Sequence, residues 1–199
     1  MNRDSAAPVG ALVDDEALAQ AAYLLPNAAR EAILARLEQR AEQAVVEAIG
    51  LLAAPAPVFV TLRIEERLRG CIGSLRALTA NVVEETMDRA RAAAFEDPRF
   101  PALTLAELSE TSVEVSILRP LQPVRSRDEL DPARFGIEVR DHSGRRAVLL
   151  PDIPGVETIE QQVKVTRQKA GIPAGNDLQI RRFSVVKVLD PLFGGIREV

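Results

Sequence analysis

Only one residue in this 199-residue chain is a cysteine, and it sits in the stretch "LRGCIGSL" at 68–75. Arg67 and Arg69 lie just before Cys71, with Gly70 and Gly73 around it. On a regular strand Arg67, Arg69, Cys71 and Gly73 share one face, because side chains alternate. Guanidinium groups beside a thiol favour the thiolate, its nucleophilic form. The glycines remove side-chain bulk, so a ligand can approach the backbone amides closely. Such a set of parts suits a small anionic ligand or a nucleophile. A free cysteine is equally a small hydrophobe, and strand glycines also mark bulges or close backbone packing. Both readings of Cys71 stand at this point.

A second constellation, "FEDPRF" at 95–100, places Glu96, Asp97 and Arg99 on a proline-stiffened loop. Carboxylates here could act as general acid or base groups, or bind a cation. They could also brace the loop, with Asp97 bonding to backbone amides and Phe95 and Phe100 anchored in the core. The candidate catalytic residues are therefore Cys71, Arg69 and Asp97. The candidate ligand contacts are Gly70, Gly73, Arg67 and Arg99. The single histidine, His142, lies in the turn "RDHSGRR", and nothing local brings it to Cys71. Arg145 and Arg146, like Arg181 and Arg182, read as solvated basic faces. One His and one Cys cannot build a His/Cys zinc site, and no phosphate-binding glycine loop, nucleophile elbow or HExxH occurs. No metal and no cofactor are expected.

The elements that must position these residues follow from periodicity. Residues 1–13 read as a leader, and Asp14 caps a first helix running to about Leu25, broken by Pro26–Asn27. A long helix follows to Gly50, with Ile33, Leu37, Ala41, Ala44, Val45 and Ala48 on one stripe. "VFVTLRI" alternates and turns through "EER" into "LRGCIGSL", a hairpin of Val58–Ile64 with Leu68–Leu75. Thr79 or Asn81 caps the helix "VVEETMDRARAAAF", and "TLAE" is a capping box. "TSVEVSIL" is a strand, "GIEVRDHSGRRAVLLP" a hairpin, and Val156–Ala170 a helix closed by Gly171. "LQIRRFSVVKVLD" supplies one last strand or two short ones. Hairpins mixed with separate helices indicate an α+β fold.

Composition narrows the function classes. Hydrophobic residues make up 47%, charged residues 27%, and the net charge is −4. An acidic chain with one Tyr, no Trp and six Phe is poorly suited to nucleic acid. No window approaches the ~18 continuous apolar residues of a membrane span. No secretory pattern opens the chain, so the expected compartment is the reducing cytoplasm.

"LRGCIGSL", then "AAAFEDPRFPALT", "VEVSIL" and "GRRAVLLP", resemble the AMMECR family, whose bacterial and archaeal members are called AmmeMemoRadiSam system protein A. The resemblance spans roughly residues 15–190 and implies one α+β domain, 14–199, with mainly antiparallel sheets. It implies a larger and a smaller part, both chain ends feeding the larger. It also implies association with a Memo-like protein and a radical SAM protein, and no established reaction. Two functional classes follow: a small-ligand or catalytic pocket at "LRGCIG", or a non-catalytic accessory module for such a partner. One segment departs from the family pattern. Members usually carry a tryptophan and a second cysteine after "LLP", whereas "DIPGVETIEQQVKVTRQKAGIP" has neither.

Overall fold

Val58, Val60 and Leu62 are fully buried, while the residues between them face the other way, as an alternating strand requires. This strand, β1 (Val58–Ile64), organises the first of two folded units in a computed structural model that describes residues 24–43, 50–190 and 196–198. One unit holds the chain up to Leu118 and the stretch that begins at Val186; the other holds Arg119–Val185. Segments before and after the smaller unit thus both contribute to the larger one, as the family resemblance implies. The leader and most of the first expected helix lie outside the described residues.

In the first unit β1 turns into β2 (Arg67–Gly73) through Glu65 and Glu66, whose φ angles are 48° and 63°. Positive φ at both central residues is the two-residue hairpin geometry that matches strand twist. The expected hairpin is present. β3 (Thr111–Leu118) pairs antiparallel with β1 on its other side. With β8 (Val185–Leu189) and β9 (Ile196–Glu198) the order is β2-β1-β3-β8-β9. Against the apolar face lie α1 (Leu25–Leu37) and α2 (Val82–Phe95), closing a core of Ile33, Val60, Leu62, Ala93, Val113, Val115 and Val188. Each fully buried Val, Leu or Ile contributes about 1.5–3 kcal/mol, so this one-sided burial sets strand register.

The caps read from sequence are found. Asn81 accepts from the Glu84 amide at 2.9 Å, and Thr104 and Glu107 form the capping box of α3 (Leu105–Glu110). Two helix limits need correction. Pro26 and Asn27, expected to lie between two helices, are in the first turn of α1, where proline's missing amide donor is not needed. The long helix expected to run to Gly50 stops at Leu37. Gln39 takes φ 55°, the Arg40 amide reaches the Ala35 carbonyl at 3.0 Å, and the Arg40 guanidinium folds back onto Glu31 at 2.5 Å. That Schellman-type stop uses no glycine, so the apolar stripe runs past it unmarked.

The second unit is a four-stranded sheet, β4 (Gln122–Pro123), β7 (Gln179–Phe183), β5 (Gly136–Arg140) and β6 (Arg146–Leu149), in the order β4-β7-β5-β6. Ile137 and Val139 face a small core that includes Leu130 and Ile172 and is covered by α4 (Ile159–Lys169). The last helix starts later than Val156, because Thr158 and Gln161 form its capping box. "LQIRRFSVVKVLD" splits into β7 and β8, in different sheets. The paired arginines are not plain solvated faces. Arg181 meets the buried carboxylate of Glu138 at 2.5 Å, Arg182 stacks 4.5 Å from the Phe135 centroid, and Arg145 binds Asp141 at 2.6 Å.

α2 lies so close to β2 that a Cβ on Gly70 would overlap the Ala93 carbonyl. Gly70→Ala should therefore destabilise the protein by about 1–3 kcal/mol in urea melts. Gly175→Ala, where a Cβ meets nothing within 4 Å, should shift stability by less than about 0.5 kcal/mol.

Candidate functional site

The register of β2 on β1 is interrupted between Leu62 and Arg63: Leu62 pairs with Gly70, but Arg63 pairs with Leu68. Arg69 is the extra residue of this bulge, and a bulge reverses the side-chain alternation beyond it. Cys71 pairs with Thr61, while Arg67 pairs with Ile64, three positions along β1 and so on the other face. The expectation that Arg67, Arg69 and Cys71 line one face is overturned. Arg67 is exposed. Arg69, 9% exposed, turns to Glu107, with Nε to Oε1 at 2.9 Å and Nη2 to Oε2 at 3.2 Å. The same Glu107 carboxylate accepts the Thr104 amide at 2.9 Å, so one acid caps α3 and anchors β2. The Arg69 guanidinium, with this support, holds Glu107 down at about 2.

The "FEDPRF" loop meets the outer edge of β2 at Cys71. Asp97 Oδ2 accepts the Cys71 amide at 2.9 Å, and Arg99 Nη2 donates to the Cys71 carbonyl at 3.2 Å. Asp97 and Arg99 are themselves joined, Nη2 to Oδ2 at 2.6 Å and Nε to Oδ1 at 2.9 Å. Asp97 is 4% exposed. Arg99 first, then the Cys71 and Arg99 amides, hold its carboxyl far below the usual range against the opposing effect of burial. Asp97 acts here as a brace: its lone pairs are spent on backbone and guanidinium. Phe100 lies between Arg69 and Arg99, 5.9 and 5.5 Å from their centres.

The glycines are accounted for by packing. A Cβ at Gly73 would run into the Phe59 ring and the Val58 carbonyl, and Gly70 admits α2. The Cys71 amide, already bonded to Asp97, is not open to an anion.

The sulfur faces away from the apolar core. Thr61, 4% exposed, donates its hydroxyl to Cys71 Sγ at 3.4 Å. Across β1, Thr61 pairs with Glu114, so Cys71, Thr61 and Glu114 form a row over three adjacent strands. Ser116, with no exposed surface, donates to Glu114 Oε1 at 3.3 Å. Lys187 belongs to this face as well, because its neighbours Val186 and Val188 lie in the core; it is 7% exposed. None of Thr61, Glu114, Ser116 or Lys187 was singled out from sequence. The signal was present in the polar residues interleaved with valines in "VFVTLRI", "TSVEVSIL" and "VVKVLD". Among the described residues no group of three or more His, Cys, Asp or Glu side chains is placed to hold a metal, and no helix is long and apolar enough to cross a membrane.

The sequence model of the AMMECR1 family matches residues 26–188, which include both motifs and all three strands of the row. The chain belongs to the AMMECR1 family. A Thermotoga maritima protein is 46% identical over 132 residues, covering 65% of this chain and 75% of its own. A Methanopyrus kandleri protein is 34% identical, covering 75% of this chain and 76% of its own. A Clostridium acetobutylicum relative, 36% identical, is matched over only 27% of its length. The crystal structure of an uncharacterized protein from Pyrococcus horikoshii superposes with a TM-score of 0.79 at 27% identity, covering 90% of this AMMECR1 chain and 97% of the other.

Two measurements check the bracing roles. Asp97→Ala leaves the Cys71 amide unpaired and should lower stability by about 1–3 kcal/mol in denaturant melts, without loss of fold. Glu107 has a lowered folded-state pKa, so its contribution is complete above the ordinary value of 4.5 and fades as pH falls towards about 2. The stability gap between wild type and Glu107→Gln should therefore close over that window.

Proposed function

We propose that this AMMECR1 protein binds a small molecule beside Cys71, at the edge of the polar face of its five-stranded sheet, with the Cys71 thiol as the reactive group. One observation carries the reading: Cys71 lies on the polar face with Thr61, Glu114 and Ser116, opposite Val60 and Leu62. A cysteine serving only as a small hydrophobe belongs on the apolar side. In this reading Asp97 and Arg69 position the strand and do not touch the ligand. Arg99 holds the Cys71 carbonyl and is itself paired with Asp97. Its own pKa is raised, first by Asp97 and to a lesser degree by Cys71. A reducing cytoplasm would keep this lone thiol free.

An accessory role, docking a Memo-like or radical SAM protein, is the second reading. It is supported by the Clostridium relative, in which the matched region is a minor part of a longer chain. Co-expression with such partners, followed by co-purification of wild type and Cys71→Ser in equal amounts, would favour this alternative.

The thiol reading is tested by labelling with iodoacetamide at pH 7. Native wild type should label without denaturant, and Cys71→Ser should not. Labelling that requires denaturant would sink the reading.

A further inference from the structure

The charges of the chain are unevenly divided. Arg119–Val185 carries twelve Lys and Arg against nine Asp and Glu, whereas the whole chain carries 25 against 29. Within this basic unit Arg140 of β5 lies directly opposite Arg146 of β6, and Gln179 of β7 lies on its other side. Residues opposite one another on paired strands share a face, so the three side chains form one row. All three are exposed. Arg181, two residues along β7 and so on the same face, is exposed as well.

Like charges directly opposite destabilise a sheet, and this pair finds no relief within the chain. Neither Arg140 nor Arg146 has an ion pair or a side-chain hydrogen bond among the described residues. Two acids lie close by in sequence, but both are committed elsewhere. Glu138, 2% exposed, holds Arg181. Asp141 accepts from the Ser143 and Arg145 amides, the Arg145 side chain and Asn176. A local rule broken without compensation in the fold marks a surface kept for a partner.

We propose that this face docks a protein partner through an acidic, extended segment. Neighbouring strands are about 4.8 Å apart, so one carboxylate reaches both Arg140 and Arg146. Arg140 and Arg181 are diagonal neighbours, about 7–8 Å apart. Acids at alternate positions of an extended chain, about 6.7 Å apart, match that diagonal. A single nucleic-acid strand has phosphates at similar spacing, but its recognition draws on aromatic stacking, and the row holds no aromatic side chain. The inference is independent of the Cys71 reading, because Cys71 belongs to the other unit.

The test is an NMR titration of the isotope-labelled intact protein at low salt, where surface charges are least screened. The probes are a peptide of alternating Glu and Thr, a matched peptide of alternating Gln and Thr, and an oligothymidylate. The Glu peptide should shift the signals of Arg140, Arg146 and Gln179, and the Gln peptide should not. Arg140→Gln combined with Arg146→Gln should weaken Glu-peptide binding by about tenfold, as expected for two facing charges removed. Arg134→Gln combined with Lys164→Gln removes the same charge elsewhere in the unit and should change binding by less than about twofold. The Arg140/Arg146 double variant should melt no lower than wild type, since the opposed pair is unfavourable. A lower melting temperature would make the two arginines structural and overturn the proposal. It is equally overturned by an equal loss in both double variants, by no shift along the row, or by tighter binding of the oligothymidylate.

Discussion

The Cys71 amide and carbonyl point out of the edge of the five-stranded sheet, and a single ion pair satisfies both. Asp97 accepts from one, Arg99 donates to the other, and the two side chains are bonded to each other. This pair occupies the position of a sixth strand. An unpaired backbone group in such a place costs about 1–3 kcal/mol, and an open edge invites pairing with another chain. The Coulombic part is secondary, because Arg99 is half-exposed and surface pairs contribute little. What the clamp supplies is hydrogen bonding for an otherwise naked edge and for a carboxylate that is almost wholly buried. It also explains physically why "LRGCIG" and "FEDPRF" belong together in one fold.

Fixing the backbone of Cys71 fixes its side chain. The bulge at Arg69 displaces one residue of β2, and Arg69 is held there by the same glutamate that caps α3. With both constraints in place, Gly70 lies under α2, and the thiol is turned to the polar face beside Thr61. The motif therefore divides its labour. Its glycines serve packing, Arg69 serves anchoring, and the cysteine faces the row of polar side chains.

The second unit treats its own edge in the same manner. β6 is a border strand, and the Lys169 ammonium from α4 donates to its Val148 carbonyl at 3.1 Å. Its hairpin turn is held by Asp141, which accepts from the Ser143 and Arg145 amides and pairs with the Arg145 side chain. Burial pushes the Asp141 carboxyl up, but the Ser143, Arg145 and Asn176 hydrogen bonds outweigh it and hold the group below its usual range. In both units charged side chains complete backbone hydrogen bonding that strands alone leave open.

By itself the sequence determined what depends on local pattern. Period-two alternation located β1, β3 and the hairpins, and the side chains of Asn81 and Thr104 marked helix starts, because caps and pleats act within a few residues. The family was legible in two short motifs. The helix end at Leu37 was not, since its Schellman bonds form without glycine. Nor was the face of Cys71: a one-residue bulge reverses alternation, and nothing in "RLRGC" announces it. The partners of Arg69 and Cys71, Glu107 and Asp97, lie 38 and 26 residues away. Only tertiary packing decides such pairings, because a charged side chain takes whichever opposite charge the fold brings within reach.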